Sequence, residues 1–433
     1  MGSRPVHTPL LPRLLLAAML PPVMLLPACV GGSGPNGTGG GTGPPVVNTL
    51  ALTVDGGPAA APGAINHAYV TVRVCAPGST TQCANVDHVL LDTASWGLRL
   101  VGSVLTAQGV TLAAETDASA HAIEECVNFG GGTTWGPVAL ADIALAGESA
   151  KGLPVQVMDD TGATAPPPAS CTANGPPSND VTGFYANGIL GVGVFAQDCG
   201  TACAPPAAPL PVYFGCTAGA AGVCAAEDVA LAQQVTNPVA KFAGDNNGVI
   251  VSLPNLVNAN GDLVVTGTLL FGINTQADNM LPVGGLTVLG TNASGDFSAS
   301  YTNGATVLTG LSSWIDSGSD GYEFNDPGVA TCTDANWVGY YCPTVSPLAL
   351  SATNTGLGAL AASSTVTFAV AAPANGVQSV FILPPGAAGY GGLAGVGDAA
   401  RFVWGMPYFY GRRIYVGIDQ RSAGSYTGPY FAY

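Results

Sequence analysis

Residues 65–75, INHAYVTVRVC, alternate polar and apolar side chains with a period of two, the pattern of a half-buried β-strand. Val89, Leu90 and Leu91 form a short apolar run that ends on Asp92, and Trp314-Ile315 ends in the same way on Asp316. Both runs predict buried strands that deliver a carboxylate at their tips. Burying an ionised carboxylate is costly unless it is paired or hydrogen-bonded, so each aspartate needs a partner. Stretches rich in Gly, Asn and Asp separate the apolar segments. Those at 243–248, 258–262 and 371–376 predict turns between strands and need no bound calcium to explain them.

Composition extends this picture to an all-β fold. The 433 residues include 61 Gly and 34 Pro, only 8% are charged, and Lys and Arg together number 10. Long surface helices usually carry many Lys, Glu and Arg, so short strands and turns are expected instead. The net charge of −16 excludes a nucleic-acid partner, because no basic patch is available to neutralise phosphates.

The N-terminus predicts export. Basic Arg4 and Arg13 precede an apolar run at 14–26 that Pro21 and Pro22 interrupt. The run is too short and broken to span a bilayer and reads as a signal peptide, residues 1–28. Leu26-Pro27-Ala28-Cys29 resembles a bacterial lipobox, with Cys29 as the lipidated residue; ordinary cleavage nearby is the alternative. Residues 29–48 then form a Gly-rich linker. The expected location is the bacterial cell envelope, periplasm or outer membrane.

Setting Cys29 aside leaves ten of the 11 cysteines, an even number suited to disulfides in an oxidising compartment. Spacing suggests Cys75–Cys83, Cys199–Cys203, Cys216–Cys224 and Cys332–Cys342, with Cys126–Cys171 left over. A zinc site is not expected, since no cysteine pair has CxxC spacing and His7, His67, His88 and His121 form no ligand pattern.

An internal repeat supplies the missing partner. Residues 92–100, Asp-Thr-Ala-Ser-Trp-Gly-Leu-Arg-Leu, and 316–324, Asp-Ser-Gly-Ser-Asp-Gly-Tyr-Glu-Phe, both read Asp, hydroxyl, tiny, Ser, any, Gly, apolar, charged, apolar. The doubled segment resembles that of the pepsin-like aspartic peptidases, and of uncharacterised bacterial lipoproteins that carry the same signature. Residues 186–195 (ANGILGVGVF), 267–274 (GTLLFGIN) and 402–419 are similar to later landmarks of that family, so the resemblance covers about residues 60–433. It implies a bilobal double β-barrel with an interlobe cleft, an N-terminal lobe at 49–240 and a C-terminal lobe at 241–433. Residues 130–147 resemble the hairpin that overhangs the family's cleft, with Phe129 or Trp135 as its aromatic residue.

What the resemblance implies chemically is a pair of aspartates, Asp92 and Asp316, that cannot both ionise and so share one proton. Such a pair activates a bridging water for peptide hydrolysis with no metal or cofactor. Ser95 and Ser319 match the hydroxyls that hold the aspartates, and Thr93 and Ser317 those that cross-link the two loops. Three positions depart from the pattern: Ala94 replaces glycine, Trp96 a small polar residue, and Arg99 a tryptophan that supports the hairpin. The expected activity is that of an extracytoplasmic aspartic endopeptidase, a monomer that meets polypeptide substrates and the membrane. The alternative is a pepsin-fold envelope lipoprotein that binds a protein partner or serves the envelope structurally without catalysis. A further alternative makes both aspartates plain turn residues at strand ends. No GxSxG elbow or phosphate-binding loop competes.

Overall fold

The computed structural model describes residues 47–173, 175–219, 221–258, 261–373 and 388–433. The signal peptide, Cys29 and residues 29–46 of the linker lie outside them, as do parts of the turns read at 258–262 and 371–376. In the first half the strands are β1 (Thr49–Val54), β2 (Ala68–Cys75), β3 (Cys83–Asp92), β4 (Trp96–Val101), β5 (Ala122–Phe129), β6 (Gly132–Leu145), β7 (Glu148–Met158), β8 (Gly188–Val192), β9 (Tyr213–Cys216) and β10 (Cys224–Ala226). The alternation in β2 does what its pattern predicts: Val70, Val72 and Val74 are buried while Thr71 and Arg73 face solvent. Strands run in the order β6-β7-β4-β8-β3-β2, and a second pairing of β6 with β2 closes these six into a barrel.

The second half contains β11 (Gly248–Ser252), β12 (Val265–Phe271), β13 (Val288–Gly290), β14 (Phe297–Asn303), β15 (Thr306–Ile315), β16 (Tyr322–Phe324), β17 (Leu348–Thr355), β18 (Ser363–Val370), β19 (Ala394–Val396), β20 (Arg401–Trp404), β21 (Arg413–Gly417) and a last paired strand, Tyr430–Ala432. Seven of them form a curled sheet that stays open, β18-β17-β14-β15-β20-β16-β19. Five more join β1 in the order β1-β12-β11-β21, then Tyr430–Ala432, then β13, and β1 also pairs with β2. One continuous sheet therefore runs from the barrel into the second half. The chain is nearly all-β, a six-stranded barrel and a curled half-barrel in a bilobal pepsin-like arrangement.

The duplication read at the two aspartates extends to strand register. β3 lies parallel to β8 with Leu90 opposite Ile189, and Ile189 faces Arg99 on antiparallel β4. β15 lies parallel to β20 with Trp314 opposite Val403, and Val403 faces Glu323 on antiparallel β16. Each aspartate follows its strand row by the same two residues, so the unit that carries it is built twice. Core packing is less alike. Buried aliphatic residues such as Val72, Val89, Leu98 and Leu190 fill the barrel, whereas Tyr301, Phe324, Phe368, Phe402 and Trp404 form an aromatic cluster in the half-barrel. Phe402 and Trp404 have ring centroids 4.7 Å apart.

All five expected disulfides are present. Cys75–Cys83 and Cys216–Cys224 each join directly paired residues at the ends of a hairpin. Cys126–Cys171 ties β5 to a distant loop across 45 positions. Residues 243–248 are not a turn between strands but connect a 3₁₀ helix, Pro238–Lys241, to β11. There the Asp245 carboxylate accepts hydrogen bonds from Thr275 and Gln276, so it serves a chain crossover.

Candidate active site

Asp92 ends β3, and Asp316 follows β15 directly. The loops behind them interlock through hydroxyls. Thr93 Oγ1 donates to the Ile315 carbonyl at 2.7 Å and accepts from the Ser317 N–H at 3.0 Å, while Ser317 Oγ donates to the Leu91 carbonyl at 2.7 Å. Thr93 and Ser317 have no exposed surface. Each buried hydrogen bond contributes about 1 kcal/mol net, but losing one partner strands a buried polar group at greater cost. The cross-link therefore fixes the two loops against each other.

The carboxylates are held alike. Asp92 Oδ1 accepts from the Ala94 N–H at 2.8 Å and Oδ2 from Ser95 Oγ at 2.5 Å. Asp316 Oδ1 accepts from the Gly318 and Ser319 N–H groups at 2.7 and 3.2 Å, and Oδ2 from Ser319 Oγ at 2.8 Å. Ala94 keeps a negative φ, so its Cβ is tolerated and its N–H does the work of a glycine's. Gly318 has no such freedom. A Cβ there would stand 3.0 Å from Asp92 Oδ1 and 3.1 Å from Asp316 Oδ1, which also shows that both carboxylates border one small space. Burial, and next the facing Asp92, push the Asp316 carboxyl up to about 8 against the donors of Ser319 and Gly318. A carboxyl so placed holds a proton at neutral pH, the condition for a site that contains an acid and a base together.

The pair opens into a cleft of about 560 Å³ whose lining includes Asp92, Ser95, Asp316 and Ser319. Trp96 forms part of its wall: the indole packs edge-on against Phe195, with ring centroids 5.1 Å apart, and also lies beside Gly295 from the second half. Phe129 lines the cleft at the tip of the β5–β6 hairpin, which turns at 129–132 and so begins earlier than the segment read as the hairpin. Trp135 does not line this cleft. Its side chain is 2% exposed, packs on Phe214 and donates from Nε1 to the Ala165 carbonyl at 2.9 Å. The pleat of β6 points it into the pocket around the Cys126–Cys171 disulfide, so the hairpin's aromatic residue at the cleft is Phe129.

Sequence patterns missed what surrounds Arg99. Its guanidinium, 1% exposed, bonds Glu125 Oε1 on β5 at 2.7 Å, Asp198 Oδ2 after β8 at 3.1 Å and the Trp96 carbonyl at 2.9 Å. It also lies over the Phe129 ring, 5.5 Å from the centroid. Tyr213 on β9 donates its hydroxyl to Asp198 Oδ1 at 2.5 Å. Burial pushes the Glu125 carboxyl well up, opposed by Arg99 and reinforced by Asp198. Where the resemblance places a tryptophan, this chain has a buried ion-pair network linking the Asp92 loop to the hairpin. Only the charge at the eighth position of the repeat signalled it.

No curated protein matches the sequence. Among solved structures, the fold is similar to the aspartic proteinase from Irpex lacteus: 14% identity, 89% of this chain and 96% of that chain covered, TM-score 0.51. At that identity the likeness concerns the fold alone. Residues 44–433 match the family described as "Protein of unknown function (DUF3443)", and the chain belongs to that family.

Proposed function

We propose that the protein is an extracytoplasmic aspartic-type endopeptidase in which Asp92 and Asp316 act on a water held between them. One observation carries the reading: two carboxylates from duplicated strand ends border the same space beside Gly318, each held by its own serine and backbone N–H. In the first step the ionised aspartate takes a proton from the water as its oxygen bonds the peptide carbonyl carbon. The protonated aspartate gives its proton to the carbonyl oxygen. When the resulting diol collapses, one hydroxyl proton returns to the second aspartate, the first protonates the nitrogen, and the C–N bond breaks. The pair regains its single proton. Five disulfides fit an oxidising extracytoplasmic compartment, and a lipid on Cys29 would keep the cleft near the envelope membrane, where a monomer could meet polypeptides.

A second reading, a binding module without catalysis, draws on the hairpin. β5 is hydrogen-bonded along both edges, to β6 and β9, and Cys126–Cys171 ties it further. A lid held so firmly suits a fixed binding groove. Denatured casein incubated with the mature protein from about pH 3 to pH 7 separates the two, since general acid–base groups act only in their correct protonation state. Cleavage that falls by a factor of about 10² or more in both Asp92→Asn and Asp316→Asn supports the peptidase. Absence of cleavage at every pH favours the binding module.

A further inference from the structure

The two lobes place opposite charges at equivalent points. Arg99 stands as far beyond Asp92 as Glu323 stands beyond Asp316. Arg99 shares a row of its sheet with Ile189 and Leu90, and Glu323 shares the matching row with Val403 and Trp314. Residues in one such row lie on one face of a sheet, and both charged side chains line the cleft. Their surroundings differ. Two carboxylates offset Arg99, whereas among the described residues no hydrogen bond or ion pair engages the Glu323 carboxylate, which is half-buried.

The charges facing Glu323 come from every neighbouring element. Asp316 precedes it on the same chain turn. Asp320 accepts from the Tyr340 hydroxyl at 2.5 Å and has His67 in its field. Arg401 on β20 lies over Trp314, 6.0 Å from that ring, and Asp398 is at the exposed rim. Across the cleft stand Asp92 and, behind it, Arg99 with Glu125 and Asp198. Burial, and next Asp320, push the Glu323 carboxyl itself up, and Arg401, although exposed to water, opposes them.

We propose that Glu323 assigns the roles within the aspartate pair: lining the same cleft as Asp316, with no salt bridge among the described residues, its negative charge keeps the shared proton on Asp316, making Asp316 the acid and Asp92 the base. Glu323 is then a positioning residue that acts through Asp316 without touching substrate. The electrostatics agree in sign: after burial and Asp92, Glu323 is the last and smallest of the influences that raise the Asp316 carboxyl. The inference rests on the hydrolytic reading, but its test does not require turnover.

Infrared difference spectra of the substrate-free protein, wild type minus Asp316→Asn, isolate the C=O stretch of the protonated carboxyl and follow its loss with pH. In wild type the band should disappear with a midpoint near about 8. In Glu323→Gln, measured against its own Asp316→Asn partner, the midpoint should move to lower pH. The expected size is on the order of tenfold weaker proton binding, what one charge exerts across a partly buried site. Glu323→Asp should restore most of the shift, and the alkaline limb of kcat/KM on casein should move in parallel. A midpoint unmoved in Glu323→Gln, with wild-type cleavage and thermal unfolding retained, overturns the inference and leaves the peptidase standing. No cleavage by wild type, with the band and its shift still observed, overturns the peptidase reading and leaves the proton assignment standing.

Discussion

The first lobe closes and the second does not. β6 returns to β2 and completes a six-stranded barrel, whereas β18 and β19 end the second sheet without meeting. The first is packed with aliphatic side chains and carries a buried, doubly paired Arg99; the second is packed with aromatic rings and carries Glu323, which no ion pair engages among the described residues. At the aspartates, nonetheless, the two repeat each other in register and in the hydroxyls that hold each carboxylate. The contrast teaches which features the pair depends on. A three-strand row and an interlocked loop are duplicated, while closure, core chemistry and the charge beyond the loop are free to diverge.

The sharpest way to break that contrast is to delete the two charges separately. Arg99→Ala leaves Asp198 and Glu125 buried without their cation and should cost about 3–5 kcal/mol, because removing one partner of a buried pair exposes the full desolvation penalty of the other. Glu323→Ala removes a half-buried carboxylate that no ion pair engages among the described residues, strands no partner, and should change stability by about 1 kcal/mol or less. Urea unfolding midpoints of the two variants test the difference, and equal losses would contradict it.

Alanine at the third position of each repeat probes the loops themselves. Ala94 already occupies that place in the first lobe with its backbone unstrained, so Ala94→Gly should be nearly silent. Gly318→Ala sets a methyl 2.9 Å from Asp92 Cγ, and should cost about 1–3 kcal/mol as well as activity. Calorimetry together with casein cleavage would check both, and a tolerant Gly318→Ala would mean that the carboxylates do not share the space assigned to them.

A further effect appears as a slope of stability against pH. The Asp316 carboxyl, ordinarily at 3.8 when unfolded, is pushed up to about 8 in the fold, so the folded state binds the extra proton between those values. Its contribution to stability is fully present below 3.8 and is lost as the pH rises through about 8. Asp316→Asn should flatten that part of the stability profile, whereas substitutions at exposed carboxylates should not. Denaturation midpoints taken at several pH values across the window measure it.

Much of the site was legible because its signals are local. Strand, aspartate, hydroxyl and serine fall within nine residues, and the copy at 316–324 made the pattern improbable as coincidence. Four of the five disulfides close loops of no more than 10 positions, so spacing sufficed to pair them, and the fifth followed by elimination. The sequence left Phe129 and Trp135 as alternatives because a hairpin strand has two faces, and only the packing of Trp135 against Phe214 and Cys171 decides between them. Glu125 and Asp198 were invisible for a different reason. They lie 26 and 99 positions from Arg99, and nothing in either local sequence marks a carboxylate as belonging to a guanidinium so far along the chain.

Periodicity, turn composition and the repeat were enough to predict a duplicated β-architecture with an aspartate at each strand tip, since those features act over a few neighbouring residues, and the family resemblance that the repeat carries named the hydroxyls that hold them. Packing in three dimensions settled the rest: that one lobe closes, that Arg99 is paired where Glu323, among the described residues, is not, that Trp96 walls the cleft, and that Gly318 leaves little room for a side chain. Each of these is a contact between segments far apart in the chain, and its energy exists only once the fold has brought the partners together.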